Sequence, residues 1–122
     1  MSDSDTSDRA SQFYRLLELP NHREKTLEKL RAASSQFQGV VLDVATKNAV
    51  EAKKEYQASA ATLHSVIIIT EQRKDLAEDE QVRKAAEVSE RDFSLTFKRW
   101  MAARDIYEEV ADVYFSGLEL PE

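Results

Sequence analysis

Apolar residues recur at helical spacing through most of the chain, and the first stripe of this kind is short. Phe13, Leu16 and Leu17 share one face of a helix predicted over residues 9–19. Pro20 ends this helix, because a proline has no backbone N–H to continue the hydrogen-bonding pattern. The sequence therefore predicts a chain that opens with a helix of about three turns.

A second stripe follows Pro20. Asn21 with Glu24 three positions later has the pattern of a capping box, which marks the start of a helix. The apolar stripe keeps its helical phase on both sides of Gly39, and a turn at this glycine would have no reason to preserve that phase. We therefore expect a continuous or kinked helix through Gly39. Ser34 fills the one polar slot in the stripe. Its apolar members are Leu27, Leu30, Phe37, Val41 and Val44.

A seven-residue pattern takes over in the middle of the chain, with small residues in its first half and bulkier ones from Leu63 onward. Small side chains let two helix axes approach closely, so this pattern predicts a tightly packed helix pair. The acidic residues at 75–80 mark the best place for a chain reversal, with Asp75 or Asp79 capping the next helix. The pattern consists of Leu42, Ala45, Ala49, Ala52, Tyr56, Ser59, Leu63 and Val66.

The last stripe predicts one long helix from Glu80 to Phe115. Gly117 is placed to cap its C-terminus, and Pro121 would stop any continuation. One face of this helix carries Val82, Ala86, Ser89, Phe93, Phe97, Trp100, Tyr107, Val110 and Tyr114.

Between Pro20 and Gly117 there is no proline and only one glycine, Gly39, so the two residues that most often interrupt helices are nearly absent. The predicted fold class is all-α: an elongated antiparallel helical bundle of three or four helices, built on a long helical hairpin of residues 40–76 against 80–115. We expect a flexible N-terminal tail at 1–8, a single helical-bundle domain at 9–117 and a C-terminal tail at 118–122.

Charge and composition exclude several classes of protein. A net charge of −6 over 122 residues argues against nucleic acid as a partner, and against an anionic membrane surface as the main one. Without cysteine there is no disulfide and no thiolate metal site. The longest apolar run, 66–69, is far shorter than a membrane span, and no signal peptide is visible. We expect a soluble, intracellular and most simply cytoplasmic protein, with no membrane insertion.

The chain also lacks the side-chain patterns that catalysis usually needs. Neither of its two histidines, His22 and His64, follows a glutamate by three residues, which excludes the di-iron pattern of helical bundles. Carboxylates adjacent in sequence, such as Glu108 and Glu109, point in different directions on a helix. There is no glycine-rich phosphate loop, nucleophile elbow or zinc-ligand spacing. We therefore expect no enzyme activity and no cofactor.

Two segments are candidates for an interface with another protein. Val66, Ile67, Ile68, Ile69 and Thr70 are consecutive β-branched residues, which sweep round a helix so that one face cannot bury them all. Either neighbouring helices cover them in a crowded bundle interior, or a partner does. The second segment is a basic patch on an acidic chain, and it is either the solvated flank of a core tryptophan or an interface hot spot. It consists of Lys98, Arg99, Trp100 and Arg104.

The leading functional hypothesis is a non-enzymatic protein–protein interaction module, acting as a small helical subunit or adaptor of a larger assembly, with a protein partner or a homo-oligomer. One alternative is a histidine phosphotransfer-like signalling domain centred on His64, although the bulky residues that follow this histidine would crowd a docking partner. Another is a peripheral membrane helical protein, which the net charge disfavours.

Overall fold

The computed structural model describes residues 3–118, and within them the chain is helical with no strand. The helices are α1 (Asp3–Leu17), α2 (Pro20–Ala32), α3 (Ser35–Gln72), the single turn α4 (Lys74–Ala77) and α5 (Glu80–Leu118). They pack against each other, so the predicted all-α bundle is confirmed. Residues 1–2 of the predicted N-terminal tail, and 119–122 of the C-terminal one, lie outside the described residues.

The chain divides into two compact units. Unit 1 comprises Met1–Val50 and Ala102–Glu122, and unit 2 comprises Glu51–Met101. Unit 1 thus contains α1, α2, the N-terminal part of α3 and the C-terminal part of α5. Unit 2 contains the rest of α3 and α5, with α4 between them in the sequence. The single domain expected over residues 9–117 stays a prediction.

The first two helix boundaries differ from those predicted. Helix α1 begins at Asp3 instead of residue 9, and Asp5 in its first turn lies near the positive end of the helix dipole. Pro20 is the first residue of α2, where its missing N–H costs nothing. Asn21 is therefore not the N-cap, and the predicted capping box is wrong. The N-cap position is Leu19, which makes no side-chain cap hydrogen bond.

The helix predicted to run from Asn21 through Gly39 is broken between α2 and α3. Ser34 caps α3, since its Oγ accepts a hydrogen bond from the backbone N–H of Phe37 at 3.2 Å. The buried Gln38 side chain closes α2, because its Nε2 donates to the carbonyl oxygen of Leu30 at 2.9 Å and to that of Ala33 at 3.3 Å. Ser34, the one polar residue in the apolar stripe, is thus a helix cap. Only Ala33 and Ser34 separate α2 from α3.

Gly39 lies inside α3, which confirms the prediction of helix through this residue. Gly117 was predicted to cap the last helix, but α5 continues through it to Leu118 and no glycine here has a positive φ. A Cβ at Gly117 would lie 3.3 Å from Oε1 of Gln38, so this glycine leaves space for the buried glutamine. The predicted C-cap is therefore wrong, and the glycine serves close packing.

The chain reversal near residues 75–80 is confirmed. The carboxylate of Asp79 accepts hydrogen bonds from the backbone N–H groups of Gln81 at 2.8 Å and Val82 at 3.3 Å, which caps the start of α5. Asp75 instead pairs with Arg73 at 3.2 Å, with both side chains exposed.

The core of unit 1 draws on all four of its helices. Phe13 of α1 and Phe37 of α3 pack edge to face beside it, with ring centroids 5.4 Å apart. Side chains from these helices converge in one cluster, which removes the central ones from water. The buried cluster consists of Ala10, Tyr14, Leu17, Leu27, Leu30, Val41, Ala45, Ile106, Val110 and Val113.

We expect Gly39→Ala to stabilise the protein. Alanine is favoured over glycine inside a helix by about 0.5–1 kcal/mol, and the new Cβ would lie 3.5 Å from the Tyr114 ring, an ordinary contact distance. Urea unfolding followed by circular dichroism measures the change. A destabilised variant would show that α3 does not pass through this position as a regular helix.

The phenol of Tyr14 gives unit 1 a sensitivity to high pH. The pKa of Tyr14 is raised to about 12, mainly by burial and also by the negative charge of Glu18, while the positive charge of Arg23 acts in the opposite direction. In the unfolded chain the Tyr14 phenol ionises near pH 10. The stability that the neutral phenol contributes in the folded protein is therefore present below pH 10 and is lost as the pH rises towards 12.

Between pH 10 and 11.5 we therefore expect the wild type to lose roughly 1 kcal/mol more of its unfolding free energy than Tyr14→Phe does. Lysine deprotonation affects both chains equally, so the difference isolates the phenol. Parallel losses in the two proteins would mean that Tyr14 ionises in the folded state as it does in water.

Candidate interaction surface

Unit 2 is built on an antiparallel pair of helical segments from α3 and α5. The ring of Tyr56 stacks on that of Trp100, with centroids 5.1 Å apart and planes at 20°. It also contacts Phe93 at 5.4 Å. One turn further along α3 the hydroxyl of Ser59 hydrogen-bonds that of Thr96, one turn earlier in α5. The contacts move towards the C-terminus of α3 as they move towards the N-terminus of α5, so the two segments are antiparallel.

The apolar stripes predicted from the sequence supply most of the seam of this pair, and Thr70 and Thr96, which were not among the predicted positions, complete it. Most of the half-buried positions of both segments lie along this seam, at the spacing of a coiled coil. Phe97 was predicted on the same face but leaves 41% of its surface exposed beside Tyr56. The seam positions are Ala52, Tyr56, Ser59, Leu63, Val66 and Thr70 in α3, and Val82, Ala86, Ser89, Phe93, Thr96 and Trp100 in α5.

Among the described side chains of unit 2, only Ser89 is buried, and it is polar. Every buried apolar side chain in the described residues belongs to unit 1 instead. Two helices packed side by side bury side chains only along the seam between them, unless a third helix packs over that seam. Unit 2 therefore leaves much of its apolar surface in contact with water.

The isoleucine run lies on this exposed surface. Ile67, Ile68 and Ile69 are 44%, 37% and 47% exposed, while Val66 and Thr70 reach the seam and are half-buried. A crowded bundle interior does not account for the three isoleucines, since more than a third of the surface of each one remains exposed.

A long stretch of α3 around the isoleucines carries no charged side chain. Residues 56–70 contain no Asp, Glu, Lys or Arg, and His64 is exposed among them. The hydroxyl of Thr62 donates to the carbonyl oxygen of Ala58 at 3.1 Å, and that of Ser65 to the carbonyl oxygen of Ala61 at 3.0 Å. These hydroxyl protons are satisfied within the helix, so covering them leaves no donor unpaired.

We call the side of α3 turned away from the seam in this stretch the outer face. Helical periodicity places it opposite the stripe that meets α5. All of its members are exposed and uncharged. It consists of Ala58, Ala61, Thr62, Ser65, Ile68 and Ile69.

The four residues of the predicted basic patch lie on α5, on both sides of the boundary between the two units. Trp100 is half-buried in the seam, and Lys53 lies 6.0 Å from its ring centroid. Lys98 and Arg99 are exposed beside it, with the Arg99 guanidinium 4.0 Å from the carboxylate of Glu55. This arrangement fits the solvated flank of a seam tryptophan. Arg104 belongs to unit 1, where its guanidinium lies 3.8 Å from the Glu108 carboxylate.

The sequence interpretation missed two exposed apolar residues on α5. Val88 is 52% exposed and Leu95 is 46% exposed. They lie seven residues apart and off the predicted stripe, a spacing that would have revealed a second apolar line along this helix.

No group of His, Cys, Asp and Glu side chains in residues 3–118 is arranged to hold a metal ion. Among the same residues, no helix is both long and apolar enough to cross a membrane. In comparisons of the chain with protein-family models, with curated proteins and with solved structures, no match was found.

We expect Trp100→Ala to destabilise the protein by about 2 kcal/mol, below the 3–5 kcal/mol typical of fully buried tryptophan because Trp100 is only half-buried. Leu95→Ala, on the exposed side of the same helix, should stay within about 0.5 kcal/mol. Thermal and urea unfolding followed by circular dichroism compares the two. Equal, small effects would mean that the tryptophan stack does not hold the helix pair together.

Proposed function

We propose that this protein is a non-enzymatic protein–protein interaction module, a small helical subunit or adaptor whose unit 2 offers the outer face of α3 to a helix of another protein chain. The observation that carries the proposal is the exposed, charge-free face with its isoleucines. Unit 1, by contrast, buries its apolar stripes in a core of its own.

The energetics favour covering this face. Burying an isoleucine side chain completely is worth about 1.5–3 kcal/mol, and Ile68 and Ile69 are still 37% and 47% exposed. Covering them in a complex therefore contributes roughly 1 kcal/mol each. The small and hydroxyl-bearing neighbours permit close approach of another helix without leaving a donor unsatisfied.

The chemistry of the face indicates the kind of partner it fits. An apolar helix side about three turns long suits docking of a second amphipathic helix, which is a recurrent mode of protein recognition. The absence of charge on this side of α3 leaves no site there for an anionic surface such as a phosphate backbone. The non-enzymatic part of the proposal rests on the sequence, which lacks the spacing patterns that catalysis requires.

Site-specific photo-crosslinking in an extract of the source cells tests this proposal. A photoreactive residue replacing Ile68 should give discrete protein adducts, which mass spectrometry identifies. The matched control places the same residue at Lys84, an exposed position on α5 of the same unit. Excess wild-type protein should compete the adducts away, and Ala61→Glu should not.

An adduct with a second copy of this chain and an adduct with a different protein both agree with an interaction module. Labelling at position 68 that is no stronger than at position 84 would contradict it.

A further inference from the structure

We infer that the outer face of α3 is a self-association surface, on which the same face of a second copy docks antiparallel about a two-fold axis near residue 63. This inference rests on the proposed function and names the partner. It depends on how charges are arranged at the two ends of the uncharged stretch.

Charged residues at these ends have opposite signs along the same side of the helix. Lys53 and Glu71 are eighteen residues apart, which is five turns of α-helix, so they share one side. Glu55 and Arg73 repeat the relation on the other side of the outer face. The backbone N–H of Arg73 still donates to the carbonyl oxygen of Ile69 at 2.8 Å, so the helical path extends to this residue.

An antiparallel second copy converts this arrangement into charge complementarity. With the two-fold axis at the middle of the stretch, Lys53 of each copy lies beside Glu71 of the other, and Glu55 lies beside Arg73. A parallel pair would bring Lys53 beside Lys53 and Glu71 beside Glu71, which is unfavourable. The signs thus select one orientation of one partner, the chain itself.

The contacts that three of these residues make within the chain do not prevent the association. The Lys53 ammonium lies 6.0 Å from the centroid of the Trp100 ring, and an exposed cation–π contact of this kind contributes at most about 1 kcal/mol. Glu55 lies 4.0 Å from Arg99, and Arg73 lies 3.2 Å from Asp75, with more than half of each side chain exposed. Exposed pairs of this kind contribute at most about 1 kcal/mol and often nothing. They are therefore weak competitors for contacts in a partly covered interface.

The same axis also matches large side chains with small ones. It places Ile68 of one copy opposite Ala58 of the other, while Ala61 and Ser65, both small, lie opposite each other near the axis and permit close approach there. A large residue facing a small one allows two helices to interdigitate at close distance. One helix face is a small interface, so we expect a dissociation constant in roughly the micromolar range.

Sedimentation velocity of the full chain over a wide concentration range tests the association. We expect a monomer–dimer equilibrium that Ala61→Glu abolishes. The matched control is Ala85→Glu, which makes the same substitution at an exposed helical alanine of α5 and should leave the dimer intact. Circular dichroism establishes that both variants remain folded.

Charge exchange tests the orientation even if Ala61→Glu perturbs folding. Lys53→Glu and Glu71→Lys should each weaken the dimer roughly ten-fold, because each reverses two pairs related by the two-fold axis. The double variant Lys53→Glu/Glu71→Lys should restore association, since every pair is again of opposite sign. A double variant that associates no better than the singles would contradict the antiparallel arrangement.

The register can be tested directly because the chain contains no cysteine. An oxidised equimolar mixture of Ala61→Cys and Ser65→Cys chains should form the mixed disulfide faster than either chain forms its own. Faster formation of the two homodisulfides would overturn the proposed register.

A wild type that stays monomeric at the highest concentration, or a dimer that Ala85→Glu disrupts as strongly as Ala61→Glu does, overturns the inference. The proposed function fails separately. If the chain is monomeric but a photoreactive residue at position 68 still labels a different protein, the interaction module stands and only self-association is lost.

Discussion

The constraint on which this structure depends is that two helices packed side by side share only one seam. Each helix then keeps most of its circumference in water, and apolar residues outside the seam stay exposed unless another element covers them. In unit 1, α1 and α2 supply the additional layer, and Tyr14, Leu17 and Leu30 become fully or almost fully buried. In unit 2 the described residues supply no such layer, so Ile67 to Ile69 remain exposed. The burial that this unit lacks is what another chain can provide.

Helices could be predicted from the sequence wherever a signal was local. The phase of the apolar stripe across Gly39 and the acidic cap at Asp79 both indicate structure through contacts within a few residues. The break between α2 and α3 could not be predicted in this way. It depends on the side chain of Gln38 reaching the carbonyl oxygen of Leu30, eight residues earlier, and on Ser34 acting as a cap in a position that periodicity assigned to the core.

The candidate surface was partly visible in the sequence for a similar reason. Periodicity shows which residues share a helix face, and it identified the isoleucine run as too wide for one seam. It does not show how many layers cover a face, and that number decides whether Ile68 is core or surface.

The central claim is that the backbone amides at 58–69 become protected from hydrogen exchange only when another chain covers the outer face of α3. Hydrogen–deuterium exchange of backbone amides at several protein concentrations measures this most directly. The account predicts that amides around Val41 and Val110 in unit 1 are strongly protected at every concentration, while those at 58–69 are weakly protected in dilute solution and gain protection as the concentration or a partner increases. Equal, concentration-independent protection of both units, unchanged by any partner, would contradict it.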